Sequence, residues 1–268
     1  MVPSNLRCLI ELGIWFQISS NIDLWRSRFK PKNNSRRFIM KTRAAEVRSL
    51  FDRIAPVYDQ LNNTLSFGQH QIWKLMAVKW AQPKLGDRAL DICCGSGDVA
   101  ALLSDRVGDD GTVIGLDFAE EMLDFAGQRN LDKKNIQWVP GDALELPLPD
   151  AHVDCITMSY GLRNVVDIPQ AFEEMYRVLK TGKKAAILDM HRPSNPLIRR
   201  FQQWYLDNQV VPAAAKLGFI DEYAYIAPSL DRFPTGDEQV KIAITAGFTK
   251  AVHYPIAGGT MGVLVLTK

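Results

Sequence analysis

The chain has 268 residues, 47% hydrophobic and 23% charged, enough for one full-sized soluble α/β domain with residues to spare. The net charge of +2 is uneven: residues 1–40 hold seven basic side chains against two acids, leaving 25 against 28 beyond, a balance that argues against nucleic acid as the main partner. Cys93 and Cys94 are adjacent while Cys8 and Cys155 stand alone, which excludes a disulfide framework and a metal-ligand spacing; no apolar run reaches the ~20 residues of a membrane span.

Residues 1–40 show no clean period and contain Pro3, Pro31 and a polar run from Lys32 to Arg37. Their basic balance and five serines fit a transit peptide, against which Glu11 and Asp23 count. An upstream start codon, with the protein proper beginning at Met40, explains them as simply. In either case they are expected to be a disordered tail outside the fold. Order is expected from about Thr42, with Val47, Leu50, Phe51 and Ile54 on one face of a short helix ending before Pro56. Tyr58, Asn62, Ser66 and His70 then recur every four residues. That spacing fits a polar ligand rim on one side of a helix and fits a solvated face equally. Trp73, Met76, Ala77 and Trp80 make the next helical face.

From Arg88 onward strands and helices alternate. Strands are predicted at 88–94, 112–118, 136–142, 153–159 and 183–190, and helices at 98–107, 120–129 and 168–180. This implies a mostly parallel sheet with helices on both faces. The first strand runs into Asp91-Ile92-Cys93-Cys94-Gly95-Ser96-Gly97, where glycines let a ligand approach the backbone and the next helix offers its free N–H groups. Two readings fit. Gly95-x-Gly97-x-x-Ala100, with Asp117 20 residues beyond Gly97, satisfies the dinucleotide fingerprint of a nicotinamide-dependent oxidoreductase. The same letters as Asp91-x-x-x-Gly95-x-Gly97 form a loop of S-adenosylmethionine (SAM) binding. A ribose-binding acid serves both ligands, but a carboxylate just before the loop repels a pyrophosphate and suits a zwitterionic amino acid, so Asp91 favours SAM.

The C-terminal pattern separates them further. A helix predicted at 237–246 leads into a strand at 248–257, a Gly258-Gly259 turn and a strand at 261–266. A parallel sheet closed by an antiparallel hairpin suits a methyltransferase rather than the repeated half of a dinucleotide domain. Residues 193–234 read as a helical cap. Ile198, Phe201, Trp204 and Tyr205, flanked by Arg199 and Arg200, give it an apolar face suited to packing, to covering an apolar substrate or to resting on a membrane.

Tyr58-Asp59-x-Leu61-Asn62-x-x-Leu65-Ser66-x-x-x-His70-x-x-Trp73, Gly161-Leu162-Arg163-Asn164-Val165 and Met175-Tyr176-Arg177-Val178-Leu179-Lys180 resemble the motifs of the ubiquinone/menaquinone-biosynthesis C-methyltransferase family. The resemblance covers about residues 41–268. Within the family, the run 46–59, Gly161 to Asp167, Asp207-Asn208-x-Val210-Val211-Pro212 and the ending from His253-Tyr254 to Gly258-Gly259 are similar to cyanobacterial and plastid members that methylate demethylphylloquinone. Thr181-Gly182-Lys183 and His191 depart from the family pattern.

The resemblance implies a Rossmann-like class I SAM-dependent methyltransferase fold, α/β, with a seven-stranded, mostly parallel sheet, a C-terminal antiparallel hairpin and a helical cap. It implies SAM as cofactor, no metal, and methylation of a ring carbon of a lipophilic reduced quinol, because an oxidised quinone is electrophilic and supplies no carbon nucleophile. Asp91, Gly95, Ser96 and Gly97 are then expected around the methionine end, Asp117 on the ribose hydroxyls, Asp142 and Ala143 at the adenine, and Ser159 near the reacting end. Arg163 and Asn164 are the expected quinol-binding and catalytic residues. Tyr58, His70, Asp189 and His191 are secondary candidates, with His70 having the intrinsic pKa best suited to a base. Peripheral membrane contact follows for such a substrate, a homodimer is compatible with it, and the expected location is cytoplasmic or thylakoid-peripheral, or chloroplastic if residues 1–40 are a transit peptide.

Overall fold

The computed structural model describes residues 47–50, 52–54, 63, 66 and 68–268. The expectations for the tail, Phe51, Tyr58 and Asn62 lie outside the described residues. Seven strands form one sheet in the order β3-β2-β1-β4-β5-β7-β6. They are β1 (Arg88–Ile92), β2 (Thr112–Asp117), β3 (Ile136–Pro140), β4 (Val153–Ser159), β5 (Leu179–Met190), β6 (Lys250–Ile256) and β7 (Met261–Thr267). The β1–β2, β1–β4, β2–β3 and β4–β5 ladders are parallel, while β7 runs antiparallel to both β5 and β6. The predicted hairpin is present, and it folds back so that its second strand, not its first, pairs with the parallel sheet. The reason is burial: β7 is mostly buried, whereas β6 is half-exposed and forms the sheet edge.

Helices α1 (Gln69–Ala81), α2 (Asp98–Val107), α3 (Glu120–Arg129), α4 (Ile168–Val178) and α9 (Gly236–Thr245) flank the sheet. Side-chain alternation along each strand divides the core. Leu90 and Ile92 of β1 join Phe172, Met175 and Val178 of α4 on one face, while Ala89 joins Val78 of α1 and Leu103 of α2 on the other. Each of these buried side chains larger than Ala89 contributes roughly 1.5–3 kcal/mol. Helix starts follow local chemistry: the Asp167 carboxylate accepts from the Gln170 N–H, and Thr235 with Glu238 forms a capping box. Helix α4 stops two residues before its predicted end. Leu179 already pairs with Val153, and Lys180 turns to meet Asp154 at 2.7 Å. The atypical Thr181-Gly182 step lies inside β5 where its register against β4 shifts, with Gly182 at φ 75° donating its N–H to the Lys268 carbonyl.

Between β5 and α9 the chain is helical almost throughout, as α5 (Pro196–Tyr205), a π-helical turn (Leu206–Val210), α6 (Val211–Ala215), α7 (Ile220–Ala224) and α8 (Ile226–Arg232). Leu206, Val210, Ala214, Tyr223, Ala227 and Leu230 give this segment its own small core. Arg192, just after β5, fastens it by pairing with Asp231 at 2.9 Å and donating to Gln202 and the Ala227 carbonyl.

Candidate active site

Strands β1, β2, β4 and β5 end on one side of the sheet, where α/β folds bind their ligands. A narrow cleft runs there, lined in two lobes by Cys93, Gly95, Asp117, Phe118, Gly141, Asp142, Ala143, Ser159, Tyr160 and Asn164, among others. Beside it lies an apolar cavity of about 260 Å³. Leu50, Ile54, Trp73, Met190, Phe201, Tyr205, Leu206, Tyr223, Tyr225, Ile226 and Met261 line it, with Ser66, His70, Arg163, Gln202 and Thr260 as its polar groups. Tyr160 borders both spaces, and the two halves of the Arg163-Asn164 pair are divided between them, Arg163 on the cavity and Asn164 on the cleft.

The partition is built by backbone held in a sparsely populated conformation. Cys93 and Tyr160, just past the ends of β1 and β4, take left-handed φ values of 54° and 61°. Gly161 is needed between them: a Cβ there would stand 2.6 Å from the Cβ of Cys93. Burial, together with the surrounding carboxylates, pushes the Cys93 and Cys94 thiols well up, so both stay neutral and unreactive.

The acids expected around the donor differ in what occupies them. Asp91 is buried; its Oδ1 accepts from Thr157 Oγ1 at 2.7 Å, while Oδ2 has no partner. Burial raises its pKa to about 7, with Thr157 and Lys74 working against the shift. Asp117 accepts the Gly95 N–H at 2.8 Å and the Ala119 N–H at 3.0 Å. Burial raises its pKa, and these backbone donors oppose that. Each of its oxygens keeps a second lone pair for a hydroxyl. Asp142 accepts the Leu144 N–H at 2.9 Å as a turn cap, with Ala143 buried beside it. Ser159 Oγ is buried without a partner.

The glycine loop works differently from expectation. The Gly95 N–H is committed to Asp117, so what this residue offers a ligand is room, since a Cβ there would meet nothing within 4 Å. Gly97 caps α2 at φ 85°, and a Cβ on it would strike the Trp138 ring at 2.6 Å. Ser96 is buried, and its carbonyl accepts from Arg129. Asp91, Ser96 and Gly97 line neither lobe; Asp91 lies buried behind the cleft floor at the end of β1. Two unpartnered buried oxygens, Asp91 Oδ2 and Ser159 Oγ, together with the open space at Gly95, fit a ligand carrying an ammonium group.

On the cavity side, Arg163 pairs through Nε with Asp189 Oδ1 at 3.1 Å, and Nη1 donates to Asn164 Oδ1 and Ser229 Oγ. The Arg163 N–H also donates to Asp189 Oδ2 at 3.0 Å. Nη2 makes no hydrogen bond to a described residue. The Asn164 amide donates to the Tyr160 carbonyl. His70 Nδ1 lies 2.7 Å from Ser66 Oγ. These two do not share a helix, because Gly68 between them is left-handed at φ 74° and α1 begins after it.

Two expected substrate contacts lie elsewhere. Asp189 is buried behind Arg163, and His191 packs against Phe233 and His253, with the two histidine Nε2 atoms 3.2 Å apart. Burial and His253 push the His191 pKa down to about 3. Neither lines the cavity; Met190 between them does. Side chains alternate along a strand, so positions 189 and 191 share the face away from the cavity. Tyr160 and the cap tyrosines Tyr223 and Tyr225 were not anticipated. The only sequence signal for Tyr160 is its place between the strand-ending Ser159 and Gly161.

Residues 39–268 match the ubiE/COQ5 methyltransferase family. A Nostoc sp. protein named 2-phytyl-1,4-naphtoquinone methyltransferase is 58% identical over 226 residues, covering 83% of this chain and 99% of the relative. An Arabidopsis thaliana relative, 2-phytyl-1,4-beta-naphthoquinone methyltransferase, chloroplastic, is 49% identical over 241 residues, covering 88% and 92%. A solved SAM-dependent methyltransferase from Thermotoga maritima shares the fold at a TM-score of 0.59 and 21% identity, covering 82% of this chain and 99% of that one. The dinucleotide reading of the glycine loop is thereby overturned. The sheet order, the acid-lined cleft and this match along nearly the whole described chain agree, and the chain belongs to the ubiE/COQ5 methyltransferase family.

Proposed function

We propose that the chain methylates a ring carbon of reduced demethylphylloquinone, 2-phytyl-1,4-naphthoquinol, with SAM as donor, in the formation of phylloquinone. The observation that carries this reading is the apolar cavity that adjoins the acid-lined cleft at Tyr160 and has Arg163 in its wall. SAM, when bound, supplies a methyl group on a sulfonium cation, an electrophile that needs no metal.

The chain's residues then divide the work. Asp91 Oδ2 accepts from the donor's ammonium group, Asp117 takes the ribose hydroxyls, Ala143 with the Asp142 turn walls the adenine, and Ser159 Oγ faces the reacting end. Arg163 presents Nη2 to a quinol oxygen and stabilises it as the anion, which places electron density on the neighbouring carbon. Arginine is too basic to take a proton itself, so its further task is to orient the water that carries off the ring proton. His70, lining the same cavity, is the alternative acceptor. Asn164 fixes Arg163 from the cleft side, and Asp189 holds it from behind. Tyr58 keeps its place in the proposal on the resemblance alone.

Among the described residues no helix is long and apolar enough to cross a membrane. Helix α5 nevertheless exposes Leu197, Phe201 and Trp204, spaced i, i+4, i+7, beside Arg199 and Arg200 and with no acid along its length. Phe201 also lines the cavity. We read residues 193–234 as a cap that rests on an anionic photosynthetic membrane and admits the substrate from the lipid, residues 1–40 as a tail outside the domain, and the setting as thylakoid-peripheral or plastid. A panel of demethylated quinols, each offered reduced and oxidised with labelled SAM, tests the function. Transfer to reduced naphthoquinols alone is expected; transfer only to benzoquinols, or to none, contradicts the reading.

A further inference from the structure

Arg163 reaches across to the cap. Its Nη1 donates to Ser229 Oγ at 3.0 Å, and Ser229 sits on α8, fully buried. The Ser229 hydroxyl proton is spent on the Ile226 carbonyl at 2.6 Å, which leaves its lone pairs as acceptors facing the guanidinium. Nε lies 3.1 Å from Asp189 Oδ1 as an ion pair without a hydrogen bond, Asn164 and Ser229 both accept from Nη1, and Nη2 has no partner among the described residues. A planar guanidinium hydrogen-bonded at Nη1 and drawn at Nε by the Asp189 charge turns Nη2 away from both, so the Nη1 contacts decide where Nη2 points. Asp189 and Asn164 belong to the methyltransferase sheet and its adjoining turn; Ser229 is the one hydrogen-bond partner of Arg163 supplied by the cap.

We propose that Ser229 is a positioning residue for methyl transfer: it locks the Arg163 guanidinium onto the quinol oxygen and makes that alignment depend on the cap being seated. This inference rests on the quinol reading above. It adds that the cap, besides walling the cavity, completes the anion-stabilising group of the sheet. Substrate that seats the cap thereby sets the arginine, and an unseated cap leaves the guanidinium free to swing on Asp189.

The test compares Ser229→Ala, Ser229→Thr and the unaltered protein with reduced demethylphylloquinone and SAM. Ser229→Ala removes one hydrogen bond to a charged group and is expected to lower kcat roughly tenfold. The KM for the quinol and the affinity for S-adenosylhomocysteine should stay within about twofold. The acid limb of the kcat–pH profile should move up by about one unit, because a misaligned cation stabilises the quinolate less. Ser229→Thr, which keeps the oxygen, should recover most of the rate and return the limb. An unmoved pH limb overturns the proposal, and so does a rate loss matched by an equal loss of S-adenosylhomocysteine binding, which marks a merely structural serine. Absence of transfer by the unaltered protein removes the quinol reading itself, and the proposal with it, which separates the two failures.

Discussion

The donor cleft and the apolar cavity share a wall but are made in different ways. The cleft is built mainly from strand ends and the turns that follow them, so most of its lining lies within a few residues of the ends of β1, β2, β3 and β4. The cavity is assembled from positions 50 to 261, and its outer wall is the cap. A cleft of local origin is set by backbone geometry, whereas the cavity's outer wall is a separate helical segment with its own small core. Donor binding should therefore survive changes that stop turnover.

Arg163→Ala is the sharpest way to break that comparison. Losing the group that stabilises the quinolate should cost roughly 10²–10³-fold in kcat, while S-adenosylhomocysteine affinity by calorimetry stays within about twofold. A parallel loss of both would mean the two spaces are not separable.

Asp91→Asn attacks the other side. Removing a charge-assisted contact should weaken S-adenosylhomocysteine binding roughly ten- to hundredfold and leave the cavity intact. The pH dependence sharpens the assignment. With its pKa raised to about 7 by burial, free Asp91 must lose a proton before it can hold an ammonium group. Affinity should fall as pH drops from 8 through 7, and the asparagine variant should lack that limb. The sign for stability is opposite: folding takes up this proton, so the site's contribution to the free protein declines as pH rises from 3.8 towards 7.

The cap face comes next in size. Phe201→Ser with Trp204→Ser should weaken binding to vesicles of anionic lipid roughly 10–100-fold in a sedimentation assay, with S-adenosylhomocysteine affinity unchanged. Unchanged vesicle binding would take the membrane away from this face. The smallest expected effect is chain choice: exchanging the phytyl tail for an unsaturated polyprenyl tail should alter kcat/KM by less than about tenfold, because apolar walls discriminate weakly.

The contrast also explains what could be read in the sequence. The strand–helix alternation is a local signal, and the strands and flanking helices form where it places them; Asp91 and Asp117 are likewise set by local sequence, at the end of β1 and of β2. The committed Gly95 N–H was hidden, since its partner Asp117 is 22 residues away. Asp189 and His191 are candidates through the resemblance alone, and the strand pleat turns Met190, which lies between them, to the cavity instead. Adjacent Arg163 and Asn164 line different spaces because the single 3₁₀ turn Leu162–Asn164 directs successive side chains apart, which no spacing rule announces. Tyr223, Tyr225 and Ser229 depend on how the cap docks, a long-range outcome that periodicity does not encode.

The most direct measurement is product analysis after the purified protein meets SAM and demethylphylloquinone in its reduced and oxidised forms. One methyl on the ring carbon of the reduced form, and none on the oxidised form, is the expected result. Tight S-adenosylhomocysteine binding with no methyl transferred to the reduced quinol would contradict the account at its centre.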